Sequence, residues 1–157
     1  MNKTNAMRLL DAAKIPYRAV EYEYDENDLG GLHVAAETGM DPDRVFKTLV
    51  ARGDKKGILV VCVPVSCTLD LKKAASAAGD KKVEMTRMKE LLGLTGYIRG
   101  GCSPIGMKKK YPTFIDETAL LYDEIAVSAG ARGAQLVLSP EDLMRYAEIT
   151  GADLIEY

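Results

Sequence analysis

The run Gly100-Gly101-Cys102-Ser103-Pro104-Ile105-Gly106-Met107-Lys108-Lys109-Lys110 sets glycine-rich backbone directly beside three lysines. Glycines let a main chain approach a ligand closely and present its N–H groups, and lysines attract a phosphate or a developing oxyanion. Two readings fit the segment: an anion-handling loop, and a turn leading into a solvated charge run. Lys47 is a second candidate, because it follows Val45-Phe46 and precedes Leu49-Val50. An ammonium held against protein at a strand end stabilises negative charge in a cleft, whereas one at a strand edge snorkels to water. Cys102 could be a thiolate activated by Lys108. Ser103 has no histidine near it in sequence and is followed directly by Pro104, a pattern that suits a turn cap better than a nucleophile. Lys72-Lys73, Lys81-Lys82 and Arg132, the last within Gly130-Ala131-Arg132-Gly133, could extend a phosphate-tracking surface or simply face solvent.

Other chemistries find little support. Cys62, Cys67 and Cys102 match neither a zinc knuckle nor a Cys-x-x-Cys pair, and Cys62 sits in the apolar run Ile58-Leu59-Val60-Val61-Cys62-Val63 as a small buried hydrophobe. A single histidine, His33, offers little to a metal site or a Ser-His-Asp triad. We expect no metal and no cofactor. The net charge of −2 argues against coating nucleic acid through bulk electrostatics, so any such contact is local and DNA is not an expected partner. No apolar run approaches the roughly 20 residues of a membrane span, and Met1-Asn2-Lys3-Thr4-Asn5 lacks a signal-peptide core, so a cytoplasmic protein is expected.

The elements that must position these residues can be read from caps and periodicity. The chain has 157 residues, 47% of them hydrophobic, which suits one domain over 1–157. Thr4 caps a helix with Met7, Leu10 and Ala13 on its apolar face, ended by Pro16. A strand over 17–22, an acidic loop over 25–31 and a helix over 32–38 follow. Asp41-Pro42 starts a helical turn over 43–46, with Lys47 where that turn hands over to a hairpin of strands 48–52 and 57–65. Beyond it we expect a helix over 69–78, a brief strand over 82–85, a helix capped by Thr86 through 92, and a strand over 97–99 leading into the glycine loop. Strands over 113–116, 125–128 and 135–138 precede a capping-box helix that starts at Ser139-Pro140-Glu141-Asp142 and ends near Gly151. Without a regular β-α repeat, the pattern predicts α+β, with one mixed, largely antiparallel sheet flanked by helices.

Several segments together resemble the YbaK-type Cys-tRNA(Pro) and Cys-tRNA(Cys) deacylases, relatives of the editing domain of prolyl-tRNA synthetases. They are 4–10, Val45-Phe46-Lys47-Thr48-Leu49, Leu69-Asp70-Leu71-Lys72-Lys73, Lys81-Lys82-Val83-Glu84-Met85, Thr95-Gly96-Tyr97, 100–109, Pro112-Thr113 and 127–133, in family order over nearly the whole chain. The resemblance implies a YbaK-like deacylase domain in which Lys47 is the essential lysine and Gly100 and Gly101 line the aminoacyl-ester pocket. Ser103 and Pro104 complete that loop, Thr48 and Tyr22 form its walls, and the N–H groups around Gly100 to Cys102 join Lys47 in receiving an oxyanion or fixing the terminal ribose. Lys108, its neighbours Lys109 and Lys110, and Arg132 hold phosphates. The chain departs from the family at Leu29-Gly30-Gly31, where some members carry an aromatic side chain, and at Gln135, where some carry aspartate. The implied reaction uses the thiol of the misattached cysteine against its own ester. The implied partners are misacylated tRNA and prolyl-tRNA synthetase. Trans-editing of another ester such as Ala-tRNA(Pro), and a silent tRNA- or synthetase-binding module, remain as alternatives.

Overall fold

The structure, a computed structural model, describes residues 2–157. Helix α1, Asn5–Ala12, begins where the Thr4 hydroxyl accepts the Met7 N–H at 3.3 Å. It buries Ala6, Met7 and Leu10. Ala13, expected on that face, is instead the exposed residue that ends the helix. Strand β1, Arg18–Glu21, is followed by α2, Gly31–Thr38, which stops at the left-handed Gly39. The helical turn expected over 43–46 is a tight turn, in which the Asp41 carboxylate accepts the Asp43 N–H at 2.9 Å. Strand β2, Phe46–Gly53, therefore starts earlier than predicted and carries Lys47 as its second residue. It pairs antiparallel with β3, Gly57–Pro64.

Two sheets are present where the sequence suggested one. The larger has the order β4-β2-β3-β5-β8, where β4 is Val83–Met85, β5 Thr113–Asp116 and β8 Ile149–Ala152. Its β3–β5 and β5–β8 pairs are parallel. The smaller sheet, β1-β7-β6, is antiparallel, with β6 at Ile125–Ser128 and β7 at Ala134–Leu138. The chain splits between them at Val45. Arg44 C=O accepts the Ala126 N–H at 2.9 Å, Val45 C=O accepts the Val65 N–H at 2.8 Å, and one parallel bridge joins Val45 to Ala126. Along β3 the side chains alternate as period two requires. Leu59, Val61 and Val63 pack with Ala74 and Ala75 of α3, Leu71–Ala78, while Cys62 packs with Met7, Leu10 and Leu136.

Three further expectations are corrected. The Thr86 hydroxyl donates to Val50 C=O at 2.9 Å rather than capping a helix. The helix that follows is instead a short 3-10 turn, Met88–Glu90, running into α4, Leu91–Thr95. Residues 97–99 make no ladder, because the Tyr97 N–H goes to the Thr95 hydroxyl at 3.0 Å and its own hydroxyl to Ile105 C=O. Helix α5, Pro140–Ala147, is capped by Ser139 as predicted, but it ends at a left-handed Glu148 and the chain continues as β8.

Asp116 closes the C-terminal side of the larger sheet. It is wholly buried, with one carboxylate oxygen accepting the Leu154 N–H at 2.9 Å and the other accepting the Thr118 N–H at 3.2 Å and hydroxyl at 2.6 Å. Asp116→Ala strands these donors and should cost about 2–4 kcal/mol in urea unfolding; a loss below about 1 kcal/mol would show that the carboxylate is dispensable.

Candidate active site

A cleft of about 420 Å³ is lined from both sheets. Residues Val45 to Val50 run through it, Leu29, Gly30, Gly31 and Val34 form one wall, and Met85 to Met88 with Leu91 form the rim. Arg99, Gly100 and Cys102 enter from the glycine loop, and Ser128 and Gln135 from the smaller sheet. The bridge at Val45 and Ala126 builds this arrangement, since Lys47 and Ser128 stand two residues beyond it on their strands and Gln135 pairs directly with Ser128. Lys47 is half-buried, and no ion pair among the described residues involves it. Its charge is thus free to meet an anion in the cleft.

The glycine loop approaches the 130–133 turn too closely for side chains. A Cβ on Gly101 would lie 3.2 Å from the Arg132 backbone nitrogen and 3.3 Å from Ala131, and Gly100 has φ of 82°. The Arg132 guanidinium Nε donates to Arg99 C=O at 2.8 Å, tying the two loops together. The Gly101 N–H is spent on Ile98 C=O at 3.0 Å. No acceptor among the described residues takes the N–H of Gly100 or of Cys102, and both residues line the cleft. Gly31 permits a second close approach: a Cβ there would lie 2.2 Å from a Val65 methyl.

No side chain of the lining is set up as an activated nucleophile. Burial pushes the Cys102 thiol up to about 11 and the Cys62 thiol behind it up to about 12. At neutral pH that leaves a Cys102 thiolate in on the order of one molecule in ten thousand. Thr48 lines the cleft with its hydroxyl 3.8 Å from the Cys62 sulfur, and the Ser128 hydroxyl accepts the Gly130 N–H at 3.1 Å. His33 lies outside the lining, beside Asp28 at 3.3 Å. The lining's charged side chains are Lys47, Arg87 and Arg99, with no carboxylate among them.

Of the residues singled out in the sequence, Lys47, Thr48, Gly100 and Cys102 share this cleft. Gly101 supports it from the adjoining loop. Ser103 is fully buried, its hydroxyl accepting the Ile105 N–H at 3.2 Å, as a turn cap does. Pro104 lines a separate hollow with Lys109 and Lys110, and Lys108 is exposed. Tyr22 does not line the cleft; it packs with Val34, Val45 and Val65, behind the wall. The rim arginines Arg87 and Arg99 were not singled out, because neither carries a motif and only the fold brings them to the mouth. The setting of Arg87 is fixed by a strut from β2, and that of Arg99 by the Arg132 bond to its carbonyl. Arg52 binds Glu90 at 2.9 and 3.4 Å, and Glu90 also accepts the Arg87 N–H at 2.9 Å.

Comparison with known proteins gives one consistent result. The model of the aminoacyl-tRNA editing domain matches residues 32–146. A protein of Enterococcus faecalis named "Putative Cys-tRNA(Pro)/Cys-tRNA(Cys) deacylase EbsC" is 50% identical over 153 residues, covering 94% of this chain and 93% of its own. YwhH of Bacillus subtilis is 26% identical over 114 residues, 72% of each chain. A solved structure described as "a putative trans-editing enzyme for prolyl tRNA synthetase" superposes with a TM-score of 0.81 at 25% identity, covering 99% of this chain and 100% of that one.

The Arg52–Glu90 strut yields a pH prediction. The Arg52 guanidinium first, and the Arg87 N–H second, hold the Glu90 carboxyl down to about 2 from 4.5. A carboxyl lowered by folding adds stability above its unfolded value and loses that contribution as pH falls through the folded one. Glu90→Gln should therefore melt below wild type at neutral pH, with the gap closing between about pH 4.5 and 2. A gap that persists unchanged at the acid end would show that the strut does not act through charge.

Proposed function

The chain belongs to the aminoacyl-tRNA editing domain family, and from that premise we propose that it is a deacylase that removes cysteine misattached to tRNA(Pro), and cysteine from tRNA(Cys). The observation that carries this reading is the composition of the cleft: an unpaired lysine shares it with Gly100 and Cys102, whose N–H groups have no acceptor among the described residues, and no side chain of its lining is set up as an activated nucleophile. Such a site can stabilise charge and hold a substrate in place, but it does not attack. The substrate then supplies the nucleophile.

In the proposed reaction the sulfur of the bound cysteine forms a bond to its own ester carbonyl carbon, and the bond from that carbon to the ribose oxygen breaks. The thiol proton ends on the ribose hydroxyl, leaving a cyclic thioester of cysteine and a free tRNA 3′ end. The Gly100 and Cys102 N–H groups and the Lys47 ammonium receive the negative charge that builds on the carbonyl oxygen. Holding the thiol close to the carbonyl can remove roughly 7–11 kcal/mol of barrier in favourable intramolecular cases, and each well-placed oxyanion donor adds about 3–4 kcal/mol. Selectivity follows from chemistry more than from fit, since alanine has no internal nucleophile and serine only a hydroxyl. Arg87 and Arg99 at the mouth, with Arg132 behind them, suit the phosphates of the tRNA end. Association with prolyl-tRNA synthetase would supply the tRNA choice that so small a basic surface does not make. The likeness to a structure described as a trans-editing enzyme for that synthetase supports this partner.

Ester loss from Cys-tRNA(Pro), Cys-tRNA(Cys), Ala-tRNA(Pro) and Ser-tRNA, followed for wild type and Lys47→Ala, tests the reading. We expect clearance of the cysteine esters only, reduced by about 100-fold or more in Lys47→Ala, with Cys102→Ser nearly unchanged. Full activity in Lys47→Ala, or its loss in Cys102→Ser, would overturn the assignment of roles, and clearance of alanine would move the substrate to another misacylated tRNA.

A further inference from the structure

Gln135 lines the cleft and carries a buried side-chain acceptor that nothing among the described residues satisfies. The residue is 5% exposed, and among the described residues its Oε1 is a buried atom without a hydrogen-bond partner. Buried acceptors are almost always paired, and one left unpaired is costly. The neighbouring hydroxyls do not reach it: Thr86 gives its proton to Val50 C=O, and Ser128, directly opposite on the ladder, accepts the Gly130 N–H and makes no hydrogen bond to Gln135. A core position needing only bulk would be better filled by methionine or leucine. The amide is thus placed for a donor that arrives with a ligand.

We propose that Gln135 determines specificity for the amino group of the substrate: its side-chain oxygen accepts a hydrogen bond from the α-amino group of the aminoacyl ester. The inference rests on the deacylase reading above. Every aminoacyl ester brings an amine into the site, and the lining holds no carboxylate to receive it as an ion pair. Lys47, Arg87 and Arg99 instead disfavour a further positive charge and hold that amine neutral. A neutral amine donates an N–H and needs an acceptor, which the glutamine amide oxygen is. The terminal torsion of glutamine is soft, so the amide is able to turn its oxygen toward a donor that binds beside it. The ester oxygens are acceptors and fall to the Gly100 and Cys102 N–H groups and Lys47, while the substrate's other donors, its thiol and the ribose hydroxyl, are present equally in an ester that lacks the amine. Gln135 consequently distinguishes an amino acid from an acyl group of the same shape, a task that none of the donors can perform.

The test compares tRNA(Pro) carrying cysteine with tRNA(Pro) carrying 3-mercaptopropionate, which keeps the thiol and lacks the amine. Single-turnover rates at subsaturating enzyme are taken for wild type, Gln135→Met and Gln135→Glu, and each variant is expressed relative to wild type on the same ester, so that intrinsic reactivity divides out. Gln135→Met should lose about tenfold or more on the cysteine ester and stay within about twofold of wild type on the desamino ester. Gln135→Glu, which keeps an acceptor, should retain most of the rate on cysteine. The melting midpoint of Gln135→Met should equal or exceed that of wild type, because an unsatisfied polar atom has been removed. Equal loss on both esters, no loss on either, or a midpoint several degrees below wild type would each overturn the assignment. Wild-type protein that clears neither ester overturns the deacylase reading and this inference with it.

Discussion

One short stretch of backbone pairing around Val45 fixes the functional geometry of the molecule. There the chain accepts the Ala126 N–H through Arg44 C=O and the Val65 N–H through Val45 C=O, so a single residue is shared between two sheets. From that junction Lys47, Ser128 and Gln135 follow by register alone. A slip of one residue at the bridge would exchange every inward and outward side chain beyond it. The valines Val45, Val65 and Val137 with Ala126 and Val34 bury the junction in its own apolar cluster, which excludes water from these bonds. The geometry is therefore set by backbone register, and the chemical groups are carried by it.

The cleft obtains its electrostatic character by omission as much as by placement. No carboxylate lines it, and three do structural work elsewhere: Asp116 ties the C-terminal segment, Asp80 gathers the N–H groups of Lys55, Lys56 and Lys81 near the hairpin turn, and Glu90 holds the rim. Hydrogen bonds from those N–H groups, that of Lys56 first, hold the Asp80 carboxyl below the ordinary range. With no counter-charge in the lining, Lys47 keeps its full attraction for a developing oxyanion. The same burial that shapes the site raises the Cys102 thiol, so that in the proposed reaction it does not compete with a thiol on the substrate.

Local signals carried much of the fold. Thr4, Asp70 and Ser139 cap helices through their own side-chain oxygens, Gly39 and Gly79 end them in the left-handed conformation, and β5 and β6 lie where their apolar runs place them. The misses share a cause, which is that the deciding partner is remote. Strand β8 is made by its parallel pairing to β5, and its entry is a left-handed glutamate rather than the glycine that would have marked a helix end. Thr86 reads as a cap until Val50 C=O is known to lie beside it. Arg87 and Arg99 acquire meaning only from the strut and the loop that bring them to one rim. The reading of Lys47 depended on the family resemblance, since its neighbours alone left two environments open. Tyr22 was placed in the wall by the resemblance alone, whereas here it follows β1 of the smaller sheet and packs against the cluster that holds Val34 and Val45, outside the lining.

The central claim is that the protein orients and stabilises while the substrate attacks. The most direct measurement is deacylation of tRNA(Pro) carrying S-methylcysteine, set against the cysteine ester under the same conditions. The methyl group adds little bulk to a cleft of about 420 Å³ and removes the nucleophile. Clearance of the cysteine ester with the S-methyl ester left intact is the predicted result; clearance of both at similar rates would mean that a group of the protein, or a water it activates, performs the attack.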